Sequence, residues 1–368
     1  MFEVVYRCAG DNRAALLAPL LKDAVFAGAA DLLTLYVALG GCANTVFAGG
    51  DHVLHLAATF GNEQVIRVLL QSGALVNALD GQGRNALQLL ADNGEDNPDA
   101  AAVLLASGAD PRHRRSEDDC TALELAVYGR SIAILKTILQ HGVNPQSPIS
   151  LGYTALHTAA AHDEVGAIRV MVEAGENVDV MDGRGQTPLH VAVAKNSPGA
   201  VRMLCILQAD KEKLNGDGCA PLHLGMVPPL GSPGAVAELL QAGANANVHR
   251  GDEGKYTALD LAASLGNTEM VQALLDHGAE ARGVDAVDCT ALHVAAKCNK
   301  AAVINVLVKA GADVHASDAD QQTPLHYACE CLQVEAADAL LGHGASINAP
   351  DHWDDTPLHR AARTSHED

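Results

Sequence analysis

Residues 187–190 read TPLH, and tetrapeptides of this kind recur along most of the chain. Ten clear copies begin at His52, Asn85, Thr121, Thr154, Thr187, Ala220, Thr257, Thr290, Thr323 and Thr356. Successive starts are 33 residues apart, except for one interval of 36 and one of 37. A degenerate eleventh start falls at Pro19, 33 residues before His52. A fixed period of this length indicates tandem units that stack on their neighbours.

The residues between the tetrapeptides predict two helices and a loop in each repeat. Threonine caps a helix, and proline directly after it sits where its missing N–H costs nothing. A pair of alanines follows, then a Gly or Asn break, then an apolar run such as VIRVLLQSGA at residues 65–74. The run ends in Gly-Ala, which suits a helix C-terminus. Each repeat is therefore predicted to contain a short helix, a turn, a longer helix and a polar loop, which we call the finger.

This combination of period and tetrapeptide resembles the ankyrin repeat. The resemblance implies an all-α solenoid of stacked antiparallel helix pairs with β-hairpin-like finger loops. We expect residues 1–13 to form a lead-in and residues 14–368 to form a single solenoid. Its last repeat, TPLHRAARTSHED, is truncated after its first helix. Because solenoids normally end in a capping repeat, the sequence indicates either a fragment of a larger protein, which we favour, or a last helix that serves as its own frayed cap.

Two repeats, at residues 85–120 and 220–256, are longer than the others. The second carries MVPPLGSPGA at residues 226–235, where Pro228, Pro229 and Pro233 predict a loop because proline does not fit inside a helix. Insertions in solenoids lie on the surface, where they serve a function or are merely tolerated. The sequence leaves both interpretations open.

Composition limits the classes of partner. The chain has 368 residues, 48% apolar and only 3% aromatic, so alanine, leucine and valine must fill its interior. Its formal charge of −21 disfavours nucleic acid and anionic lipid, both of which attract Lys and Arg. Asp31 and Thr34 interrupt the apolar stretch 24–41, so we expect no membrane insertion. Nine scattered cysteines indicate a reducing compartment, the cytoplasm or alternatively the nucleus.

The residues that invite a catalytic interpretation fall on the repeat pattern. Seven of the 17 histidines occupy the fourth tetrapeptide position, where the resemblance implies a hydrogen bond to the neighbouring loop. GxG triplets at Gly81, Gly183 and Gly216 share one repeat phase and predict finger tips, where Gly permits positive φ, rather than nucleotide loops. Cysteines spaced by whole repeats are too far apart for a disulfide. We therefore expect a non-enzyme without cofactor or metal.

The surfaces left for function are the finger tips and the exposed ends of the first helices, which in ankyrin repeats line a concave groove. We predict a protein–protein interaction scaffold or adaptor that binds its partner there. The partner-binding candidates are Phe60, Tyr128, His162, Arg184, Lys195, Leu265, Lys297, Glu330, Trp353, Asp354 and Asp355. Large apolar groups suit interface anchors, although scattered exposed apolar residues are also normal.

Charge and family likeness add further expectations. From residue 310 onward, eleven carboxylates face only Arg360 and Arg363, which predicts a basic partner segment. Ankyrin repeats are also substrates of an asparaginyl hydroxylase that needs Leu eight residues before the Asn. Asn77, Asn247 and Asn348 fit that spacing. As an alternative, the chain is the regulatory region of a channel, kinase or ubiquitin-ligase adaptor. We expect a monomer.

Overall fold

The computed structural model describes residues 21–47, 49–144, 152–226, 232–251, 256–285 and 287–364. The predicted lead-in 1–13 and residues 227–231 of the insertion at 226–235 lie outside these residues. The all-α prediction is confirmed, because the described residues form short helices and, apart from them, only three isolated antiparallel bridges. By internal contacts the chain divides into two compact units, residues 1–182 and 183–368. A single solenoid over 14–368 stays a prediction.

In the first unit, helical residues 21–26 precede helices that alternate between seven and nine residues. The helices are α1 (Ala30–Ala38), α2 (Val53–Thr59), α3 (Glu63–Gln71), α4 (Ala86–Asp92), α5 (Pro98–Ala106), α6 (Ala122–Tyr128), α7 (Ile132–Gln140), α8 (Ala155–Ala161) and α9 (Val165–Glu173). The short helix of each repeat is its inner helix, and the following one is its outer helix. Inner helices pack on inner and outer on outer, as in the contacts of α2 with α4 and of α3 with α5.

The second unit repeats this arrangement with one shortened helix. Its helices are α10 (Pro188–Ala194), α11 (Pro198–Ile206), α12 (Pro221–Leu224), α13 (Pro233–Gln241), α14 (Ala258–Leu265), α15 (Thr268–Asp276), α16 (Ala291–Lys297), α17 (Ala301–Lys309), α18 (Pro324–Glu330), α19 (Val334–Gly342) and α20 (Pro357–Thr364). The placement of Pro233 in the loop was wrong. Pro233 begins α13, at the helix position whose N–H has no intrahelical partner.

The predicted threonine caps of the inner helices are confirmed at Thr121, Thr187 and Thr257, whose side chains accept a backbone N–H of the first turn. Asn85 is the N-cap of α4, and its side chain accepts the N–H of Gln88 at 2.9 Å. The Gln88 side chain in turn accepts the N–H of Asn85 at 3.0 Å. Such reciprocal caps satisfy two N–H groups that a helix otherwise leaves unpaired. The outer helices end differently. Gly73, which follows α3, has φ +84°, a left-handed conformation that glycine adopts without strain.

The interior is built from leucine and alanine, as the composition requires. Leu87, Ala57 and Ala58 are fully buried, and Leu54 and Leu123 are at most 2% exposed. Alanine on the packed face of an inner helix lets the next repeat approach closely, and the leucines supply most of the apolar area removed from water. No large ring is needed, which explains how a chain with 3% aromatic residues folds.

The fingers are held by an aspartate that the tetrapeptide analysis did not single out. Asp318 lies five residues before Thr323, and its Oδ1 accepts the N–H groups of Asp320 at 2.9 Å and Gln322 at 2.7 Å. Asp80, Asp285 and Asp351 do the same in their own fingers. These carboxylates replace missing backbone partners in the turn.

Neighbouring fingers also contact each other through their backbones. The N–H of Gly216 donates to the carbonyl of Arg184 at 2.9 Å. A Cβ on Gly216 would lie 2.7 Å from that carbonyl oxygen, so the position requires glycine for close approach rather than for positive φ. The second glycine of the same GxG triplet, Gly218, has φ +70°. The prediction that these triplets are finger tips is confirmed.

The apolar stretch 24–41 is divided between helical residues 21–26 and α1. Gly28, with φ +63°, lies in the turn that separates them. Across the described ranges, no helix combines the length and apolar character that crossing a membrane requires.

Candidate functional site

In several repeats the histidine of the tetrapeptide joins its repeat to the finger that follows it, and we call this junction the seam. The N–H of Thr187 donates to His190 Nδ1 at 3.1 Å. His190 Nε2 therefore carries the proton, which it donates to the carbonyl of Cys219 at 2.9 Å. His293 and His326 make the same bonds to residues 29 positions later. This confirms the structural interpretation of these histidines.

Burial favours the neutral form of two seam histidines, His55 and His293. His190, His293 and His326 are fully buried. Loss of solvation lowers the pKa of His55 and of His293, although backbone carbonyls that accept their protons act in the opposite direction. A neutral imidazole that both accepts and donates leaves no lone pair for a metal and no proton for catalysis.

Three repeats replace the seam histidine by another residue. Gln88 reproduces both functions, because its Oε1 accepts the N–H of Asn85 while its Nε2 donates to the carbonyl of Cys120 at 3.0 Å. Glu124 and Asp260 accept the cap N–H groups of Thr121 and Thr257 but have no proton to donate to the next finger. Burial raises the pKa of both carboxyls. Glu124 lines a cavity of about 140 Å³, and Asp260 lines another of about 290 Å³.

Glu176 is a further buried carboxyl, at the position after Gly175 where most repeats have alanine. It is 4% exposed, its Oε1 accepts the hydroxyl of Thr154 at 2.9 Å, and its Oε2 is buried without a partner among the described residues. Desolvation, and secondarily the charge of Glu124, raise the pKa of Glu176 to about 8. Glu176 was not predicted from the sequence, although it departs visibly from the alanine of most other repeats.

Two aromatic contacts lie at the inner-helix ends of the first unit. Phe60, which is 42% exposed, meets Phe26 edge-on with ring centroids 4.8 Å apart. Tyr128, which is 45% exposed, meets His162 at 5.2 Å. Each pair joins consecutive repeats and remains accessible to solvent. Sequence analysis predicted three of these four side chains and missed Phe26, which lies 34 rather than 33 residues before Phe60.

The last finger of the second unit brings together residues predicted from charge and residues that were missed. Trp353 is 54% exposed, and the Arg360 guanidinium lies 4.9 Å from its ring centroid. Arg360 also pairs with Asp351, whose pKa is lowered by this contact and by backbone N–H groups despite opposing burial. Arg363 pairs with Asp355 at 2.7 Å. Asp351 and Asp355 are buried, whereas Asp354 is exposed with φ +59°.

The remaining partner-binding candidates lie at separate places in the second unit. Lys195 is the C-terminal cap of α10, and Leu265 and Lys297 are the last residues of α14 and α16. All three are exposed, Glu330 at the end of α18 is half-buried, and Arg184 is exposed in a finger. These positions follow one another along the repeats, and the described contacts do not gather them into one cluster.

The three asparagines proposed as hydroxylation sites differ in their surroundings. Asn77 donates to the carbonyl of Gly108 at 2.9 Å and accepts the N–H of Asp110 at 2.7 Å. Asn247 makes the equivalent pair of bonds, to Gly278 and Glu280. Both side chains therefore hold one finger to the next. Asn348 is exposed and has no such bridge among the described residues.

The eight cysteines within the described residues are free thiols. Burial raises the pKa of Cys120 to about 12 and of Cys289 to about 11, so neither is a reactive thiolate. No grouping of three or more histidine, cysteine or carboxylate side chains suited to a metal occurs in the part of the chain that the structure describes.

The repeat, the helix pairs and the seam histidines define an ankyrin-repeat protein, and comparison with known sequences agrees. The profile described as ankyrin repeats (3 copies) matches residues 21–115, 54–148, 123–215, 222–318 and 310–368. The chain therefore belongs to the ankyrin-repeat family. The count of ten clear repeats and one degenerate repeat stays a prediction.

Individual relatives resemble parts of the chain. An ankyrin repeat-containing protein of Treponema pallidum (strain Nichols) is 35% identical over 132 residues, 36% of this chain and 43% of that protein. The NF-kappa-B p105 subunit of Mus musculus is 31% identical over 115 residues, 30% of this chain and 12% of that protein. The chain thus spans less than half the length of these relatives.

Among solved structures, the ankyrin repeat domain of Bcl-3 matches with a TM-score of 0.50 and 24% identity. The match covers 60% of this chain and 96% of that domain. At this identity the likeness concerns the fold.

Proposed function

We propose that the chain is a non-enzymatic scaffold or adaptor that binds a partner protein along the inner-helix ends and finger tips. One observation carries the proposal: Phe26 with Phe60 and Tyr128 with His162 remain exposed, whereas the seam histidines are buried. Rigid aromatic groups that are half-exposed at consecutive repeats suit anchors, because they bury a large area at little entropic cost.

The charge distribution favours a basic segment in that partner. Because Arg360 and Arg363 already neutralise Asp351 and Asp355, steering depends on exposed carboxylates such as Asp313, Asp320 and Asp354. Reversing Asp320 and Asp354 to lysine should lower the association rate and weaken its salt dependence. An unchanged rate would remove the charge argument. We further propose that the protein acts as a monomer in the cytoplasm or nucleus, without binding nucleic acid.

The aromatic anchors are tested by comparing captured proteins rather than by capture alone. The full chain, the Phe60→Ala/Tyr128→Ala double variant and a Val334→Ala control would be used as baits with quantitative mass spectrometry. Val334 is 65% exposed at the start of α19, away from the inner-helix ends. Proteins that use the groove should lose about tenfold enrichment with the double variant only. Equal recovery on all three baits would contradict the proposal.

A second candidate function, as a substrate of asparaginyl hydroxylation, is favoured by the shared Leu–Asn spacing. Hydroxylation of Asn77 or Asn247 requires the finger to release two hydrogen bonds, whereas Asn348 is already exposed. We therefore expect Asn348 to be modified first when the chain is co-expressed with the hydroxylase. Peptide mass spectrometry would detect the added oxygen, and its absence at all three sites would remove this candidate.

A further inference from the structure

The cavity at the Asp260 seam has the composition of a small binding site. It encloses about 290 Å³ between two fingers, and its wall includes Leu259, Val284, Glu280 and Arg282. This repeat reads TALD, so Asp260 lines the cavity at the position that histidine occupies in other repeats. In a repeat with histidine, the imidazole would extend to the carbonyl 29 residues later, which here is that of Cys289. The shorter aspartate leaves that space open.

The carboxylate of Asp260 has one oxygen without a partner. Asp260 is 6% exposed, and its Oδ2 accepts both the N–H and the hydroxyl of Thr257 at 2.8 Å. Oδ1 has no hydrogen bond among the described residues, on the side chain that lines the cavity. This oxygen is therefore available to accept a hydrogen bond from a cation that enters the cavity.

Two carboxylates, Asp260 and Glu280, line the cavity with one arginine, Arg282, and with His249, whose charge acts to lower the pKa of Asp260. The nearby Asp285 adds to the burial that raises the pKa of Asp260. The one arginine of the wall, Arg282, uses its Nε to donate to the carbonyl of Gly311 at 2.9 Å. Leu259 and Val284 add apolar surface, so an aliphatic stem with a positively charged end matches the lining.

We propose that this cavity binds an alkylammonium or guanidinium group, the end of a lysine or arginine side chain of the partner. The proposal rests on the proposed partner-binding function and names one chemical feature of the partner. The Glu124 cavity provides an internal contrast. Arg112 and Arg114 line it, and the charge of Arg114 acts to lower the pKa of Glu124. Two arginines thus accompany one carboxylate there, whereas the Asp260 cavity has two carboxylates and one arginine.

The test uses small cations, so its outcome is independent of the bait comparison above. The full chain, labelled on Leu, Ile and Val methyl groups, would be titrated with n-butylammonium and with N-methylguanidinium. We expect saturable shifts at Leu259 and Val284 with both cations. The uncharged n-butanol and Mg²⁺ alone should produce none.

Asp260→Asn should weaken binding of both cations about tenfold, since it removes the charge while leaving an oxygen to accept the Thr257 N–H. Gln88 shows within this chain that an amide caps such a helix. Glu280→Gln, at an exposed residue, should weaken binding as well and covers the case in which Asp260→Asn fails to fold. The matched control Glu124→Gln should leave the titration unchanged.

Three results would overturn the proposal: shifts that never saturate, equal affinity in Asp260→Asn and the parent chain, or saturation by Mg²⁺ with no response to the organic cations. The two tests are separable. If all three baits recover the same proteins while the cations still bind as expected, the cavity proposal is supported and the proposal of partner binding through the aromatic side chains is contradicted.

Discussion

Seams closed by histidine and seams that carry a buried carboxyl solve the same problem with different consequences. His190, His293 and His326 accept one backbone N–H and donate to the next finger. Glu124 and Asp260 accept the N–H but leave a charge desolvated and a cavity open. An acceptor is thus enough to cap the inner helix, whereas the hydrogen bond to the next finger requires a side chain that also donates.

The two kinds of seam should respond to pH in opposite directions. A buried carboxyl with a raised pKa binds its proton more tightly in the folded chain, so stability falls as pH rises from the ordinary value toward the raised one. A buried histidine with a lowered pKa resists protonation in the folded chain, so its contribution is lost as pH falls below about 6.5. The first and the last of the four predictions below use this opposition.

The largest effect is expected at Glu176, whose pKa is raised from 4.5 to about 8. Glu176→Gln keeps an acceptor for the Thr154 hydroxyl and removes the charge. We expect about 3 kcal/mol of added stability near pH 8.5, declining to almost nothing near pH 4.5. Urea unfolding at several pH values measures this. The exposed neighbour Glu173 provides the control, because Glu173→Gln should change stability by less than about 0.5 kcal/mol at any pH. A gain independent of pH would show that packing, not ionisation, is responsible.

Removal of a seam histidine should come next in size. His190→Ala removes the acceptor for the Thr187 N–H and the donor to the Cys219 carbonyl, and it leaves a void. We expect a loss of about 2–3 kcal/mol near pH 7 in urea unfolding. His315 is exposed in a finger of the same unit, and His315→Ala should be close to neutral. Equal losses for the two variants would mean that the seam contributes nothing specific.

Much of this organisation could be predicted from the sequence, for reasons visible in particular residues. A 33-residue period places the residues that correspond to Thr187, Pro188 and His190 in equivalent environments in successive repeats. Their structural roles can therefore be inferred from many copies of one pattern. Glu176 and Phe26 occur once, at positions where other repeats have different residues, and the period gives no information about them. Asp355 was selected for its charge, but its ion pair with Arg363 depends on the angle at which α20 follows its finger. Such contacts are set by three-dimensional packing.

The third prediction converts one kind of seam into the other. Asp260→His should allow the ring to donate to the carbonyl of Cys289 and fill the cavity, adding about 1 kcal/mol near pH 7. It should also abolish the cation-dependent shifts at Val284. Asp260→Asn separates the loss of charge from the gain of a donor. If Asp260→His is less stable than Asp260→Asn in urea unfolding, the finger is too distant for the bond and the comparison of seams fails there.

The smallest effect at neutral pH is expected for His293→Gln, which sharpens the comparison by removing only the titration. Gln88 already accepts a cap N–H and donates to the next finger, so glutamine should reproduce the bonds of His293 to Thr290 and Gln322. We expect a change within about 1 kcal/mol near pH 7. Because burial lowers the pKa of His293, the parent chain should lose stability as pH falls from about 6.5 to 5, and the variant should lose less over that range. Thermal unfolding of both chains at the two pH values measures the difference, with His315→Gln as the exposed control. Equal losses of stability between pH 6.5 and pH 5 in the parent chain and both variants would show that protonation of His293 does not contribute to acid sensitivity.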